Sequence, residues 1–146
     1  MHGGVMTQTH NPFTRPDPEK ARRQRAHEAL FRITERHATG QARTRWAERR
    51  MPMPPHEAIA RVCDLAAGSA LPDEGAPDVD QGDLTAALTL VPWARAEFDQ
   101  MEAGLLTMAK GRGMTWQELA FGLGLGTAQA ARQRHERLVK RTGDES

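Results

Sequence analysis

The stretch that most constrains this chain is Met114 to Leu138, MTWQELAFGLGLGTAQAARQRHERL, because it carries two helix starts within two dozen residues. A single helix cannot hold both. Thr115 is placed to cap the first, with Glu118 three positions on to complete a capping box, and Met114 and Leu119 stand where a hydrophobic staple closes. The second start is Thr127, after Leu123-Gly124-Leu125-Gly126, and good helix formers follow until Gly143. Glycine takes positive φ at little cost, so the backbone can reverse between the two helices. The turn that results is long, and it puts Ala128, Ala131, His135 and Leu138 on one packed face, with His135 half-buried and structural.

Upstream of this pair the periodicity is helical and no strand pattern competes with it, so the fold class is all-α. Residues 1–16 lack periodicity and apolar mass and read as a disordered tail. Asp17-Pro18-Glu19 starts a helix that runs to about Gly40, with a thin stripe of Ala26, Ala29, Leu30 and Ile33 among arginines. Gln41–Arg50 continues as a second basic helix, so residues 17–50 read as a basic helical arm. Trp46 either anchors that arm to its own domain, the commoner role, or stacks on a base. Met51-Pro52-Met53-Pro54-Pro55 stops any helix and is the expected boundary at 51–55.

Residues 56–141 then form the helical domain, with the glycine-turn pair at 115–141 and a short tail at 142–146. A helix from His56 buries Ile59, Val62, Cys63 and Ala66. Ser69–Gly82 is a flexible acidic loop, and Asp83 caps Leu84–Val91 before Pro92 forces a kink or a new start. In the next helix Ala94, Phe98, Met101, Leu105 and Met108 recur at alternating spacings of four and three, which makes them the expected face against the two shorter helices.

The formal net charge of +1 conceals three blocks of alternating sign. Residues 1–50 hold 11 Lys or Arg against 5 Asp or Glu, residues 51–108 hold 2 against 10, and residues 109–146 hold 7 against 4. Two basic ends around an acidic middle point the ends at a polyanion. The same arginine-rich, tyrosine-free composition would follow from a GC-biased genome. One cysteine excludes an internal disulfide and a multi-cysteine zinc site. No apolar run approaches the ~20 residues of a membrane span, and no secretion signal opens the chain, so the expected location is the cytoplasm.

The Met114–Leu138 stretch resembles the helix-turn-helix of bacterial DNA-binding regulators, most of all small actinobacterial DNA-binding proteins. Ala120 matches the small residue facing the partner helix, Leu119 and Leu123 its apolar neighbours, Gly124 the turn glycine and Leu125 the apolar residue within the turn. Strict alignment would put Gln133 at a buried position, a departure that the longer turn repairs. The resemblance implies a double-stranded DNA partner in the nucleoid, and a role in transcription regulation or nucleoid architecture. Thr127, Gln129, Arg132 and Gln133, early in the second helix, are the expected base-reading residues, since Arg can donate twice to guanine, Gln can pair with adenine and a threonine methyl can pack on thymine. Arg112, Arg137, Lys140 and Arg141, with Arg22, Arg23 and Arg25 of the arm, are the expected phosphate contacts. Symmetric half-sites would need a homodimer, with the helix at 18–39 or that at 56–67 as the interface.

No catalytic constellation stands out, and no cofactor or small-molecule ligand is implied. The glycines of Gly122–Gly126 follow a helix and not a strand, unlike a nucleotide loop. Asp73, Glu74, Asp78, Asp80 and Asp83 lack the spacing of a calcium loop, so no metal is expected. The competing class is a helical interaction module that docks on RNA polymerase or another regulator through its acidic middle.

Overall fold

The structure, a computed structural model, describes residues 12–144. Among them are six helices and no strand: α1 (Pro18–His37), α2 (Gly40–Arg49), α3 (Pro55–Ala67), α4 (Gln81–Gly111), α5 (Trp116–Leu123) and α6 (Ala128–Asp144). The fold is all-α, as the periodicity predicts. Of the expected tail at 1–16, residues 1–11 lie outside the described residues, and 12–16 precede α1 without helix. Asp17 caps α1 by accepting from the amides of Glu19 and Lys20 at 3.0 and 3.2 Å. At the other end α6 runs on through residues 142–144, because a single glycine in a last turn costs only about 1 kcal/mol and nothing there forces a stop.

Helix α4 is the spine. Helices α1 and α3 pack on its N-terminal half and α6 and α5 on its C-terminal half, which gives two cores. The first joins Ala26, Ala29 and Ile33 of α1, Ala58 and Val62 of α3, and Ala86, Ala87 and Leu90 of α4. Its many alanines bring the helices close, and full burial of Ile33 and Leu90 contributes ~2 kcal/mol each. The thin stripe on α1 is therefore sufficient, and α1 is part of the body of the fold. The basic helical arm expected at 17–50 is docked on α3 and α4 through α1.

The proline-rich 51–55 segment is likewise built in. Met53 is buried, and its amide donates at 3.0 Å to the hydroxyl of the fully buried Thr34. Trp46 anchors α2: it is buried, its ring centroid lies 5.4 Å from that of Phe31, and its indole N–H donates to Glu35.

Three expectations are corrected here. Cys63 and Ala66 are exposed, because α3 turns Ala58 and Val62 toward α1 and α4 and leaves both on the outer side. Asp80, not Asp83, caps α4; Asp83 is its third residue, and the two form a capping box. Of the kink or new start expected at Pro92, the new start does not occur, since the helix is continuous from Gln81 to Gly111. Proline removes one backbone donor, and Leu88 and Pro92 both face outward, so the carbonyl left without it need not be buried.

A fourth correction concerns the face of α4. Phe98, Met101, Leu105 and Met108 are 63, 49, 63 and 56% exposed, and only Ala94 of the expected stripe is half-buried. The residues that meet α5 and α6 are Glu102, Ala103 and Leu106 instead. Periodicity located an apolar face but not the one that the neighbouring helices cover.

Candidate functional site

Helices α5 and α6 are fixed at both ends of the turn between them. Glu118 N–H donates to Thr115 Oγ1 at 3.1 Å, and Thr115 N–H donates back to Glu118 Oε1 at 2.8 Å. The Thr115 amide holds the Glu118 carboxyl below the usual range. Gly124 closes α5 at φ 72°, where a side chain would be strained, and Leu125 N–H reaches Ala120 C=O at 2.8 Å. Thr127 Oγ1 then accepts from Ala130 N–H at 3.0 Å at the start of α6.

Packing sets the rotation of α6. Ala120 and Ala131 are both fully buried, so the two helices approach closely, and Leu138 closes the far end at 1% exposure. Glu102 of α4, nearly buried, takes both Arg134 Nε and Arg134 Nη2, the latter at 2.9 Å to Oε1. That guanidinium keeps the Glu102 carboxyl below its ordinary pKa, against the opposing effect of burial. Arg141 lies 3.4 Å from Asp99, and His135 Nε2 is 3.3 Å from Thr107 Oγ1. Half-buried Trp116 sits at the centre of the outer edge: His135 is 5.5 Å away ring to ring, while Lys110 and Arg132 lie 4.8 and 5.8 Å from its ring centroid.

With that rotation, Gln129, Arg132, Gln133, Glu136, Arg137 and Lys140 are all exposed. All of them but Glu136 are among the expected base-reading and phosphate contacts. Thr127 is exposed too, though its hydroxyl is occupied as a cap. Arg132 is held against Trp116, and Arg141 is partnered by Asp99. Arg112 is exposed just beyond the end of α4. His135 is half-buried on the packed face, in agreement with its expected structural role.

Arg22, Arg23 and Arg25 stand apart from this group. They rim an open groove of about 950 Å³ between α1 and α4, together with Pro92 and Trp93, and α1 does not pack on α5 or α6. Arg22 is paired with Glu19 at 2.6 Å.

The Glu102–Arg134 pair and the cluster around Trp116 were not anticipated. A signal existed for Arg134, which lies three residues after Ala131 and four before Leu138 and so shares their face.

A second polar cluster joins α1 to the start of α4. Asp83, fully buried, accepts from Arg32 Nε and Arg36 Nε at 2.9 Å each, and its Oδ2 lies 2.8 Å from the Nε2 of His37, also buried. Burial raises the Asp83 pKa, but hydrogen bonds from His37, the Asp80 amide, Arg36 and Arg32 outweigh it and bring the carboxyl down to about 2. Arg32 also grips both oxygens of Asp80 at 2.8 and 2.9 Å. Two of the five carboxylates weighed as a calcium set are thus committed to arginine, and no group of residues that could hold a metal occurs among the described residues.

No protein family, curated protein or solved structure matches the chain. No helix of the described residues is long and apolar enough to cross a membrane.

Proposed function

We propose that this protein binds double-stranded DNA through α5, the glycine turn and α6, as a helix-turn-helix with α6 in the major groove. The observation that carries the reading is the division of α6 into two faces. Ala131, Arg134 and Leu138 seat it on α4 and α5, while Gln129, Arg132, Gln133, Arg137 and Lys140, with one carboxylate, Glu136, among them, stand free of the core on the other side. A recognition helix needs that combination of rigid seating and an outward row of donors.

In this reading Gln129, Arg132 and Gln133 meet base edges, and Thr127, whose hydroxyl oxygen already accepts from Ala130, packs its methyl group on thymine. Arg112, Arg137 and Lys140 contact phosphate, and Arg141 does so with part of its charge already balanced by Asp99. The activity is non-enzymatic and nucleoid-located, in transcription regulation or chromosome architecture, in keeping with the resemblance to bacterial helix-turn-helix proteins. The buried His37–Asp83 pair offers no catalytic alternative, because neither side chain is accessible to a substrate.

An interaction module that docks through its acidic middle is the weaker reading. Asp83 is buried and Asp80 is gripped by Arg32, so the charge available there for a basic partner is reduced.

Fluorescence anisotropy of labelled random duplex DNA, titrated with the full chain at low and high salt, tests the proposal. Binding at low salt that weakens steeply as salt rises supports it. No binding at low salt defeats it. Selection from a random-sequence pool then separates a sequence-selective regulator from an architectural protein.

A further inference from the structure

The bare stripe on the second half of α4 continues a ridge that the first half keeps covered. Asp83, Ala87 and Leu90, buried beneath α1 and α3, lie 18 residues before Met101, Leu105 and Met108, which is about five whole helical turns. The same side of one helix is therefore packed at its start and open at its end. The spacing is regular from the buried Ala87 onward: Ala87, Val91, Ala94, Phe98, Met101, Leu105 and Met108 follow one another at strictly alternating four and three residues. That is the repeat of a helix seam that pairs with another helix.

The geometry points to a second copy of this chain as the occupant, through an antiparallel pairing of α4 with its equivalent about a two-fold axis on the exposed side, midway between Met101 and Leu105. In that register Phe98 faces the partner's Met108 and Met101 faces the partner's Leu105, and symmetry repeats both layers. Four consecutive layers each match one large side chain with another, with no charged residue among them, so no ion has to be desolvated. Gly104 lies beside the seam with open space where a Cβ would be, which lets the two backbones approach. The four side chains expose on the order of 400 Å² per copy, and with Ala94 and Gly104 a pair would bury about 1,000 Å², where specific interfaces begin. The interface expected on the helices at 18–39 or 56–67 has less to offer, because the apolar faces of α1 and α3 are already in the first core. The pairing does not depend on whether DNA is bound.

Sedimentation velocity of the full chain tests the inference. A species of twice 16.2 kDa is expected at micromolar concentrations, and Leu105→Glu and Phe98→Glu should each weaken self-association at least about tenfold with unchanged helical circular dichroism. Both positions are largely solvent-exposed, so neither change should disturb the fold of a single copy. A monomer up to roughly 100 µM, or a dimer that survives both substitutions, overturns the inference. Orientation is read in a Cys63→Ser background with a short bismaleimide linker. A mixture of Met101→Cys and Leu105→Cys chains should cross-link faster than either alone, and faster self-linking of Met101→Cys would overturn the antiparallel register.

Discussion

His37 Nε2 and Asp83 Oδ2 meet at 2.8 Å with both side chains fully buried, and this contact joins the end of α1 to the start of α4. The neighbouring Arg32 and Arg36 make the cluster a network around one carboxylate, which also closes the Asp80 capping box through its bond to the Asp80 amide at 3.1 Å. Removing the charge leaves two guanidinium groups facing a neutral side chain at a helix start. Asp83→Asn should therefore destabilise the fold by roughly 3 kcal/mol, measured by urea unfolding, whereas Asp80→Asn, at a half-exposed position, should cost less. Equal costs would show that the buried carboxylate is not the centre of the network.

The same carboxylate predicts an acid limb. Its pKa is 3.8 when unperturbed and about 2 in the fold, so the folded state is favoured by ionised Asp83 at every pH above 3.8. Below that the unfolded chain takes up its proton first, and the stabilisation declines until it is gone once pH passes below about 2. Unfolding free energy measured from pH 5 to pH 2 should fall, and the fall should be shallower in Asp83→Asn. Identical slopes in the two proteins would assign the acid sensitivity to other carboxyls.

How much of this was legible in the sequence depended on the range of the interaction. Most local signals read correctly, the cap of α4 being displaced by three residues: Asp17, Thr115 with Glu118, and Gly124 are stop and start chemistry set by neighbours within four residues. The bonds of Asp83 to Arg32 and Arg36 span 51 and 47 residues, and no spacing rule connects them. Leu105 and Leu106 are adjacent in sequence, yet the second is buried and the first is not. Hydrophobicity alone could not say which of two apolar faces on α4 receives α5 and α6. The outer face of α6 was readable because it is what remains once Ala131 and Leu138 are buried.

Salt dependence distinguishes the two groups of arginines. If α6 carries the DNA contact, Arg137→Ala and Lys140→Ala should each lower the slope of log affinity against log salt by about 1. Since α1 belongs to the core, deleting it would unfold the protein, and the arm question needs substitutions instead. Arg22, Arg23 and Arg25 changed together to Ala should leave the slope nearly unaltered if their groove is not part of the interface. A loss of two or more would bring the α1–α4 groove into contact with DNA.

Arg132 and Gln133 bear on selectivity. Replaced together by Ala, they should reduce binding to a selected site more than binding to random duplex, because base contacts discriminate and phosphate contacts do not. The Trp116 ring beneath Arg132 gives a subtler version of the same test. Trp116→Leu keeps an apolar group in place but removes the cation–π contact, so selectivity should decline with affinity for random DNA little changed. Equal losses on both kinds of DNA would mean that these side chains do not read sequence.

The rotation of α6 rests on Glu102 and Arg134, and a double-mutant cycle isolates that pair. Arg134→Met leaves a nearly buried carboxylate without its guanidinium and should cost about 3 kcal/mol, while Glu102→Met, whose lost partner is 43% exposed and can turn to water, should cost less. Combining Glu102→Met with Arg134→Met should recover much of the loss, because two flexible apolar side chains can fill the space between α4 and α6 without an unpaired charge. DNA binding then reports on orientation. If the ion pair fixes which residues of α6 face outward, the double variant should regain most of its stability yet bind DNA less selectively. A double variant with parental selectivity would assign the rotation of α6 to Ala131 and Leu138 alone.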